Sequence, residues 1–242
     1  MNYTGYLAYD DDDFFEKYHQ RRRKDDAPNE LIEKPIIDEL LGDVSGKNIL
    51  DLGCGDGKYG IELLKRSAKY YQGIDGSQNM VSLAKKNLEN YNVEIEKADI
   101  EQIEIQGEFD IVISRLVLHY IEDLDSLFEK IRATLKDNGV FIFSIEHPVI
   151  TSNYESYHNN AKRGNWIVDN YFDSGERINN WLGKKVVKHH KTLEAYWKII
   201  REANFQVLEL RESKPNKLNF ESEEEYLRRK RIPLFLIFKL RK

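Results

Sequence analysis

Leu50-Asp-Leu-Gly-Cys-Gly-Asp-Gly-Lys-Tyr-Gly60 is the stretch of sequence that decides the fold. The apolar run that ends at Leu52 predicts a buried strand, and the spacing of apolar residues after Gly57 predicts a helix. The glycines between them permit a tight turn and let a ligand approach the main chain. Because the following helix begins with free backbone amides, we expect a small ligand to bind at this turn.

The same cycle of strand and helix recurs along the middle of the chain. Apolar runs predict further strands at 70–75, 93–97, 109–114 and 139–145, and one-sided apolar spacing predicts helices from near Ser77 and over 124–135. Two helices are expected before the first strand, at 14–23 and 31–41. Near the end of the chain, a helix is expected at 192–203, followed by two strands at 205–210 and 232–240 that a short antiparallel return joins. The alternation predicts an α/β fold, a doubly wound and mostly parallel sheet with helices on both faces.

The chain is expected to form a single domain, since it has no internal repeat and no Pro/Gly/Ser-rich linker. Within 1–242 we expect a helical N-terminal cap (1–45), a ligand-binding core (46–146), an insertion or lid (147–190), and a C-terminal helix with strands (191–242). The insertion is interpreted as a loop region or cap because it shows no clear hydrophobic period.

Composition excludes several classes of protein. The 242 residues contain no run near the ~20 apolar residues of a membrane helix, and Asp10 to Asp13 stand where a signal peptide would be apolar, so we expect a cytoplasmic protein. The single cysteine, Cys54, excludes an internal disulfide and a Cys-rich zinc site. With a net charge of −5, a nucleic-acid partner is not expected, and the basic runs 21–24 and 228–231 are interpreted as solvated helix faces.

Charge distinguishes two ligands for the glycine loop. Gly55, Gly57 and Gly60 also satisfy the dinucleotide fingerprint Gly-x-Gly-x-x-Gly, with Asp75 about the expected ~20 residues further on. However, Asp51 ends the first strand and would oppose a pyrophosphate, whereas it would attract the ammonium of S-adenosylmethionine. S-adenosylmethionine is therefore the expected cofactor, and an NAD-dependent oxidoreductase is kept as the alternative.

Three acids follow three successive strands and are expected to line one crevice. Asp51 is expected to hold the ammonium of the cofactor, Asp75 both ribose hydroxyls, and Asp99 the adenine amino group, with the backbone of Ile100 at the ring. On the predicted first helix, Tyr18, Arg22 and Arg23 are spaced so that an aromatic ring and a cation could reach the same ligand. The other candidate cofactor-binding residues are Gly53, Cys54, Gly55, Gly57, Tyr59, Gly76, Met80 and Ser114.

Four segments carry a family resemblance: Leu50 to Gly57, Gly73-Ile-Asp-Gly-Ser77, Ala98-Asp-Ile100 and Phe109-Asp-Ile-Val-Ile-Ser114. In order and spacing they resemble the motifs of class I S-adenosylmethionine-dependent methyltransferases. The resemblance implies a seven-stranded sheet whose last strand is antiparallel. Later pieces resemble one bacterial subgroup of small-molecule-type methyltransferases: Leu118-His-Tyr120, Ser144-Ile-Glu-His-Pro148, Trp181, Val187-Lys-His-His-Lys-Thr192 and Pro233-Leu-Phe-Leu236.

Methyl transfer needs a base only when the acceptor starts protonated, and histidine suits that task. His147, which follows the fifth strand, is the leading candidate, and His119, which follows the fourth, is the second. Candidate residues for binding the acceptor are Trp166, Arg177, Trp181 and His189. A metal site is not expected, because the neighbours His189 and His190 would point to opposite faces of a strand.

The predicted reaction is transfer of a methyl group to an oxygen or nitrogen of a small molecule, without a membrane partner. Ser114-Arg-Leu-Val stands where enzymes that methylate amino groups of DNA bases carry Asn/Asp-Pro-Pro-aromatic, which argues against such an acceptor. The oxidoreductase alternative lacks a recognisable Tyr-x-x-x-Lys dyad. A non-catalytic protein that binds S-adenosylmethionine is the other alternative.

Overall fold

The computed structural model describes residues 2–22, 27–156, 158–159 and 162–242. The strands are β1 Asn2–Thr4, β2 Asn48–Leu52, β3 Tyr70–Asp75, β4 Glu94–Lys97, β5 Phe109–Arg115, β6 Leu135–Glu146, β7 His158–Asn159, β8 Lys162–Arg163, β9 Gly175–Trp181, β10 Lys184–His190, β11 Gln206–Glu212 and β12 Phe235–Arg241. The α-helices are α1 Asp12–Arg22, α2 Lys34–Leu41, α3 Lys58–Lys65, α4 Gln78–Asn87, α5 Leu124–Thr134, α6 Pro148–Thr151, α7 Leu193–Glu202 and α8 Glu223–Arg229. Short 3-10 segments occupy Gly5–Asp10, Leu118–Tyr120 and Lys217–Asn219, and a π-helical turn, Asn29–Glu33, leads into α2.

The central sheet has seven strands in the order β11-β12-β6-β5-β2-β3-β4. Strand β12 runs antiparallel to both of its neighbours, and the remaining pairs are parallel. The predicted α/β class and the predicted antiparallel last strand are therefore confirmed. The chain crosses from one side of β2 to the other between β4 and β5, so the strand order reverses at β2, where ligands of such sheets bind.

Both faces of this sheet are covered, which explains why its inner strands are almost continuously apolar. Successive residues of a strand point to opposite faces, and Ile49 and Leu50 accordingly belong to different core clusters. The face with Leu50 packs against α5 and α7, and the face with Ile49 packs against α2 and α3. No helix in the described part of the chain has the length and apolar character of a membrane span.

The expectation of a loop region at 147–190 was wrong in part, because the segment contains the antiparallel hairpin β9–β10. Strand β1, from the start of the chain, pairs in parallel with β10 through Tyr3 and Val186 and completes a three-stranded second sheet. The hairpin is rich in Asn, Lys and His. Exposure alternates along β9, but its less exposed residues are Gly175, Arg177, Asn179 and Trp181, which form no apolar series. The sequence therefore carried no period that would indicate strands.

An aromatic cluster joins the start of the chain to this second sheet. The ring of Tyr9 makes edge contacts with Phe14 at 5.3 Å, Tyr18 at 5.0 Å and Trp181 at 6.2 Å between centroids. The cluster surrounds the fully buried Ala8, Phe14 and Val186. The N-terminal segment and the hairpin therefore pack as one cap.

The segment between β11 and β12 is also more than the short return that was expected, because it contains α8. Ser222 caps this helix through the amide of Glu225, its first turn is acidic, and Arg228 and Arg229 stand in its last turn. This distribution of charge favours a helix through the backbone dipole. A polar helix of seven residues gives little hydrophobic periodicity, so it was missed.

Candidate active site

A cavity of about 1040 Å³ lies at the carboxyl ends of the parallel strands. The ends of β2, β3 and β6 supply Asp51, Asp75 and Glu146 to its wall, and Asp99 follows β4. The N-terminal segment, α1, the β9–β10 hairpin and α8 close the other sides. The cavity therefore lies at the strand-order reversal and beneath the cap.

The glycine loop forms the floor of the cavity beside β2. Gly53 and Gly55 have φ values of 79° and 56°, which side chains other than glycine rarely allow. The amides of Gly55 and Ser77 donate to the two carboxylate oxygens of Asp75, each at 2.9 Å. Asp75 thus fixes the loop that follows β2 to the end of β3.

Two of the three acids predicted for the cofactor are deeply buried. Asp51 is 2% exposed and accepts a hydrogen bond of 2.8 Å from the Tyr71 hydroxyl. Burial raises the pKa of Asp51 to about 7, although Tyr71 and Arg115 oppose the rise. Burial likewise raises the pKa of Asp75 to about 6 against the two amide hydrogen bonds. Asp51 and Asp75 are therefore more costly to ionise than solvated carboxylates.

The third acid, Asp99, meets the N-terminal segment. The hydroxyl of Tyr6 donates to Asp99 Oδ2 at 3.5 Å, and the amide of Glu101 donates to Oδ1 at 3.0 Å. A Cβ on Gly76 would lie 2.4 Å from the ring of Tyr6, so only glycine leaves room for this ring. Tyr6 was not predicted, and no signal in the sequence brings it to the end of β3.

Most of the predicted site residues meet at this cavity. Those on its wall are Tyr18, Arg22, Asp51, Gly53, Cys54, Gly55, Tyr59, Asp75, Gly76, Met80, Asp99, Ile100, His119, Trp166 and Trp181. The wall does not include Gly57, Ser114, His147, Arg177 or His189. Arg23 lies outside the described residues.

Gly57 and Ser114 have structural surroundings instead. A Cβ on Gly57 would lie 2.7 Å from Leu88 Cδ1, so this glycine allows α3 to approach the end of α4. The hydroxyl of Ser114 donates to the backbone oxygen of Leu52 at 2.9 Å and ties β5 to β2. The structure thus places both residues in the support of the loop and not on the cavity wall.

His147, the leading candidate for a base, is corrected by the structure. Its Nδ1 accepts the amide of Val149 at 3.2 Å and so caps α6, and its Nε2 lies 3.1 Å from Glu212 Oε1. Both ring nitrogens therefore have partners away from the cavity. Arg177 is corrected likewise, because it donates to the backbone oxygens of Ser152 and Asp173. His189, the last of the predicted residues that the cavity wall does not include, is half-buried on β10.

A buried ion pair on the cavity wall was missed by the sequence analysis. Lys188 Nζ lies 2.6 Å from Glu146 Oε1, and the Tyr154 hydroxyl donates to Glu146 Oε2 at 2.9 Å. The Lys188 ammonium also lies 5.3 Å from the ring centroid of Tyr120 and 5.5 Å from that of Trp181. Burial alone would raise the pKa of Glu146, but the charge of Lys188 lowers it to about 2. Glu146 is therefore ionised.

His119 lies beside this pair in a defined protonation state. Burial lowers the pKa of His119 to about 3, so the ring is neutral at neutral pH. The amide of Glu146 donates to His119 Nδ1 at 3.3 Å. Since Nδ1 is the acceptor, the proton of the neutral ring is on Nε2. His119 is thus a hydrogen-bond donor on the cavity wall.

The basic runs interpreted as solvated faces need correction in part, although Arg21, Lys230 and Arg231 are exposed. Arg21 and Arg22, at the end of α1, and Arg228 and Arg229, at the end of α8, all line the cavity. Both helices end at its wall, and while Arg22 was expected to reach the ligand, no local pattern in the sequence brings α8 to this site. Among the described residues, no group of three or more His, Cys, Asp or Glu could hold a metal ion.

Comparison with known proteins agrees with this geometry. A family model described as a methyltransferase domain matches residues 43–205. An S-adenosylmethionine dependent methyltransferase from Mesorhizobium loti has a crystal structure that is 30% identical, with a TM-score of 0.81 over 90% of this chain and 99% of that chain. A solved chain from Listeria monocytogenes is 33% identical, with a TM-score of 0.79 over 87% of this chain and 96% of its own.

A relative with a named acceptor is the malonyl-[acyl-carrier protein] O-methyltransferase of Acetivibrio thermocellus. It is 30% identical over 164 residues, which are 65% of this chain and 56% of that protein. The chain thus spans about half the length of this relative. Because the family model covers more than half of the chain and both solved chains are matched over nearly their full length, this chain belongs to the S-adenosylmethionine-dependent methyltransferases.

Proposed function

We propose that the enzyme transfers the methyl group of S-adenosylmethionine to an oxygen or nitrogen of a small molecule held in the same cavity. The observation that carries this proposal is the continuity of the cavity from the glycine loop to the cap, with a volume of about 1040 Å³. Sites for one drug-sized ligand usually measure about 300–1,000 Å³. A volume at the upper end of that range has room for the cofactor together with a small acceptor.

The residues of the loop side fit the chemistry of the cofactor. Asp51 is a buried carboxylate on the wall, and an ammonium there would balance a charge that burial disfavours. Asp75 can accept from the ribose hydroxyls, and Asp99 from the adenine amino group. A Cβ on Gly55 would meet no atom within 4 Å, so open space for a ligand lies directly over the loop.

The cap side supplies the surroundings for the acceptor. Trp166 and Trp181 line it, and aromatic walls with a few polar groups are typical of small-molecule sites. Acceptor recognition must come from this side, because the strand ends are occupied by the groups proposed for the cofactor. The relative from Acetivibrio thermocellus, named as an O-methyltransferase, supports an oxygen as the acceptor atom.

Bound S-adenosylmethionine supplies a methyl group on a sulfonium, which a nucleophile displaces in line. The groups near the proposed acceptor are poor bases, because the pKa of Glu146 is about 2 and that of His119 about 3. We therefore assign the rate mainly to positioning and to exclusion of water by the cap. His119 Nε2–H and Lys188 would orient the acceptor.

The test is transfer of a labelled methyl group from S-adenosylmethionine in cell extracts fractionated into small molecules, RNA and protein. The expected result is label in the small-molecule fraction with the wild type and little or none with Asp75→Ala. Label confined to RNA or protein would overturn the small-molecule acceptor. Tight binding of S-adenosylmethionine without transfer to any fraction would favour the non-catalytic alternative.

A further inference from the structure

We infer that the acceptor carries an anionic group, a carboxylate or a phosphate, which four arginines of the cavity wall bind: Arg21, Arg163, Arg228 and Arg229. This inference rests on the proposed function and names the class of its acceptor. The four side chains come from α1, β8 and α8, and all of them line the cavity. Their convergence is a property of the fold, since three separate segments supply them.

Two of the four arginines, Arg228 and Arg229, share a single carboxylate. Glu225 accepts from Arg228 Nε at 2.9 Å and from Arg229 Nε at 2.7 Å. No hydrogen bond or ion pair joins Arg21 or Arg163 to a residue in the described ranges. Four guanidiniums and one carboxylate leave three positive charges without a counter-ion among the described residues, in a chain whose net charge is −5.

The other cations on the wall show that this surplus is local. Each has a carboxylate partner, in the pairs Arg22–Glu30, Lys34–Glu62, Lys58–Asp56, Arg115–Glu33 and Lys188–Glu146. Only the group on α1, β8 and α8 contains more cations than acids. A ligand with negative charge would supply the missing balance.

The mutual repulsion of these cations is visible in their pKa values. Burial and the neighbouring Arg228 lower the pKa of Arg229, and Arg21 contributes to the lowering. Burial lowers the pKa of Lys188 despite its pair with Glu146, and Arg163 and Arg21 lower it further. Arg21 thus acts on both α8 and β10, which places these charges around one region of the cavity.

Trp166 adds a donor to the same wall. Its indole nitrogen is buried and has no hydrogen-bond partner among the described residues. A buried donor without an acceptor is unfavourable and typically finds one in a ligand or in water. Guanidinium groups bind carboxylate and phosphate through paired, charge-assisted hydrogen bonds, and a neutral N–H can complete such a site.

The cofactor itself does not account for four arginines. Its methionine part has one carboxylate, and Arg22 was predicted to reach it. Phosphates of a nucleic acid are a less favoured source, because all four arginines line a cavity. A small anion bound beside the cofactor remains the occupant that fits the number and arrangement of the charges.

The test is a calorimetric titration of the protein saturated with S-adenosylhomocysteine, using inorganic phosphate in one arm and malonate in the other. Potassium chloride keeps the ionic strength constant. We expect saturable binding in at least one arm, with phosphate alone indicating a phosphorylated acceptor and malonate alone a carboxylated one. Saturation with the cofactor product blocks the site of the methionine carboxylate, so the titration reports a second anion site.

The variant for this titration is Arg21→Gln/Arg163→Gln, which removes two cations without breaking an ion pair and should therefore fold. We expect it to bind the anion ~10-fold or more weakly. The control is Arg211→Gln, because Arg211 pairs with Glu39 and Glu209 and is not on the cavity wall. It should bind as the wild type does.

Three results would overturn the inference. The first is the absence of saturable binding in both arms, and the second is equal binding by the double variant and the wild type. The third is tighter binding of a short RNA oligonucleotide than of either small anion. Binding of S-adenosylhomocysteine is measured first and separately. If the protein does not bind S-adenosylhomocysteine, that result counts against the proposed function. The anion titrations are then repeated without S-adenosylhomocysteine, and they still decide this inference.

Discussion

Glu33 and Arg115 form a buried ion pair that holds the N-terminal helices against the end of β5. Arg115 Nε lies 3.1 Å from Glu33 Oε1, and the Glu33 side chain is fully buried. The Ser144 hydroxyl donates to the same carboxylate at 2.7 Å, and the guanidinium lies 4.3 Å from the ring centroid of Tyr59. The pair therefore joins the π-helical turn before α2, two strands and the start of α3 beside the cofactor loop.

Removing one partner of this pair is expected to destabilise the fold strongly. Glu33→Gln leaves the guanidinium buried without a counter-charge, and we expect the free energy of unfolding in urea to fall by ~3–5 kcal/mol. The control is Asp13→Asn, which breaks the exposed pair with Lys17 and should change stability by no more than ~0.5 kcal/mol. Equal effects of the two substitutions would contradict the structural role of Glu33.

Asp51 is expected to make cofactor binding depend on pH. Its pKa in the free protein is about 7, and the ammonium of the cofactor favours the ionised carboxylate. Binding therefore releases a proton when the pH is below 7. Calorimetry should show affinity for S-adenosylhomocysteine that is constant above about pH 8 and falls ~10-fold per unit below about pH 6. Affinity independent of pH between 5 and 8 would contradict the role of Asp51.

The same raised pKa predicts a conflict between stability and binding. A carboxyl whose pKa is raised on folding stabilises the folded state below its unfolded pKa, and this stabilisation is lost as the pH rises through the folded value. Asp51→Asn should therefore raise the stability of the free protein at pH 8 by ~1–4 kcal/mol, because no buried charge forms. The variant should also lose most of its cofactor affinity.

Asp75 is expected to contribute to cofactor binding and not to the stability of the sheet. Asp75→Ala removes the acceptor proposed for the ribose hydroxyls and the anchor of the Gly55 amide. We expect binding of S-adenosylhomocysteine to weaken by ~1.5–3 kcal/mol. Asp110→Ala is the matched control, because Asp110 accepts from Asn48 and Lys136 at the opposite end of β5. Its loss should lower stability and leave affinity unchanged.

The sheet and the loop could be predicted from the sequence because their signals are local. The apolar runs of β2 and β5 and the glycines after Leu52 lie within a few residues of each other. Their spacing alone fixes a strand, a turn and a helix. The positions of Asp51 and Asp75 at neighbouring strand ends follow from that pattern and the parallel order.

The acceptor side could not be predicted in the same way, because its partners are distant in sequence. Glu146 and Lys188 are 42 residues apart in sequence. Arg228 reaches the same cavity wall from α8, a polar helix that lacks a hydrophobic period. His147 was favoured because it follows a strand end. The structure turns its ring away from the cavity, because it caps the next helix.

The two histidines at strand ends are expected to respond differently to replacement by asparagine. In His147→Asn the cap of α6 is preserved, since asparagine is itself a good N-cap. We expect cofactor affinity and turnover close to those of the wild type. In His119→Asn the side-chain oxygen can still accept the Glu146 amide, while the donor at Nε2 is lost. We expect turnover to fall ~10–100-fold, because a hydrogen bond to the bound acceptor is removed.

The pH dependence separates this orienting role of His119 from base catalysis. Because the pKa of His119 is about 3, its ring stays neutral between pH 5 and 8 and its protonation cannot change the rate there. The rate of methyl transfer to the small-molecule extract is measured against pH for the wild type and for His119→Asn. We expect no inflection near pH 6.5 that is present in the wild type and absent from the variant. Such an inflection, or loss of activity in His147→Asn with cofactor binding intact, would restore a histidine base to the mechanism.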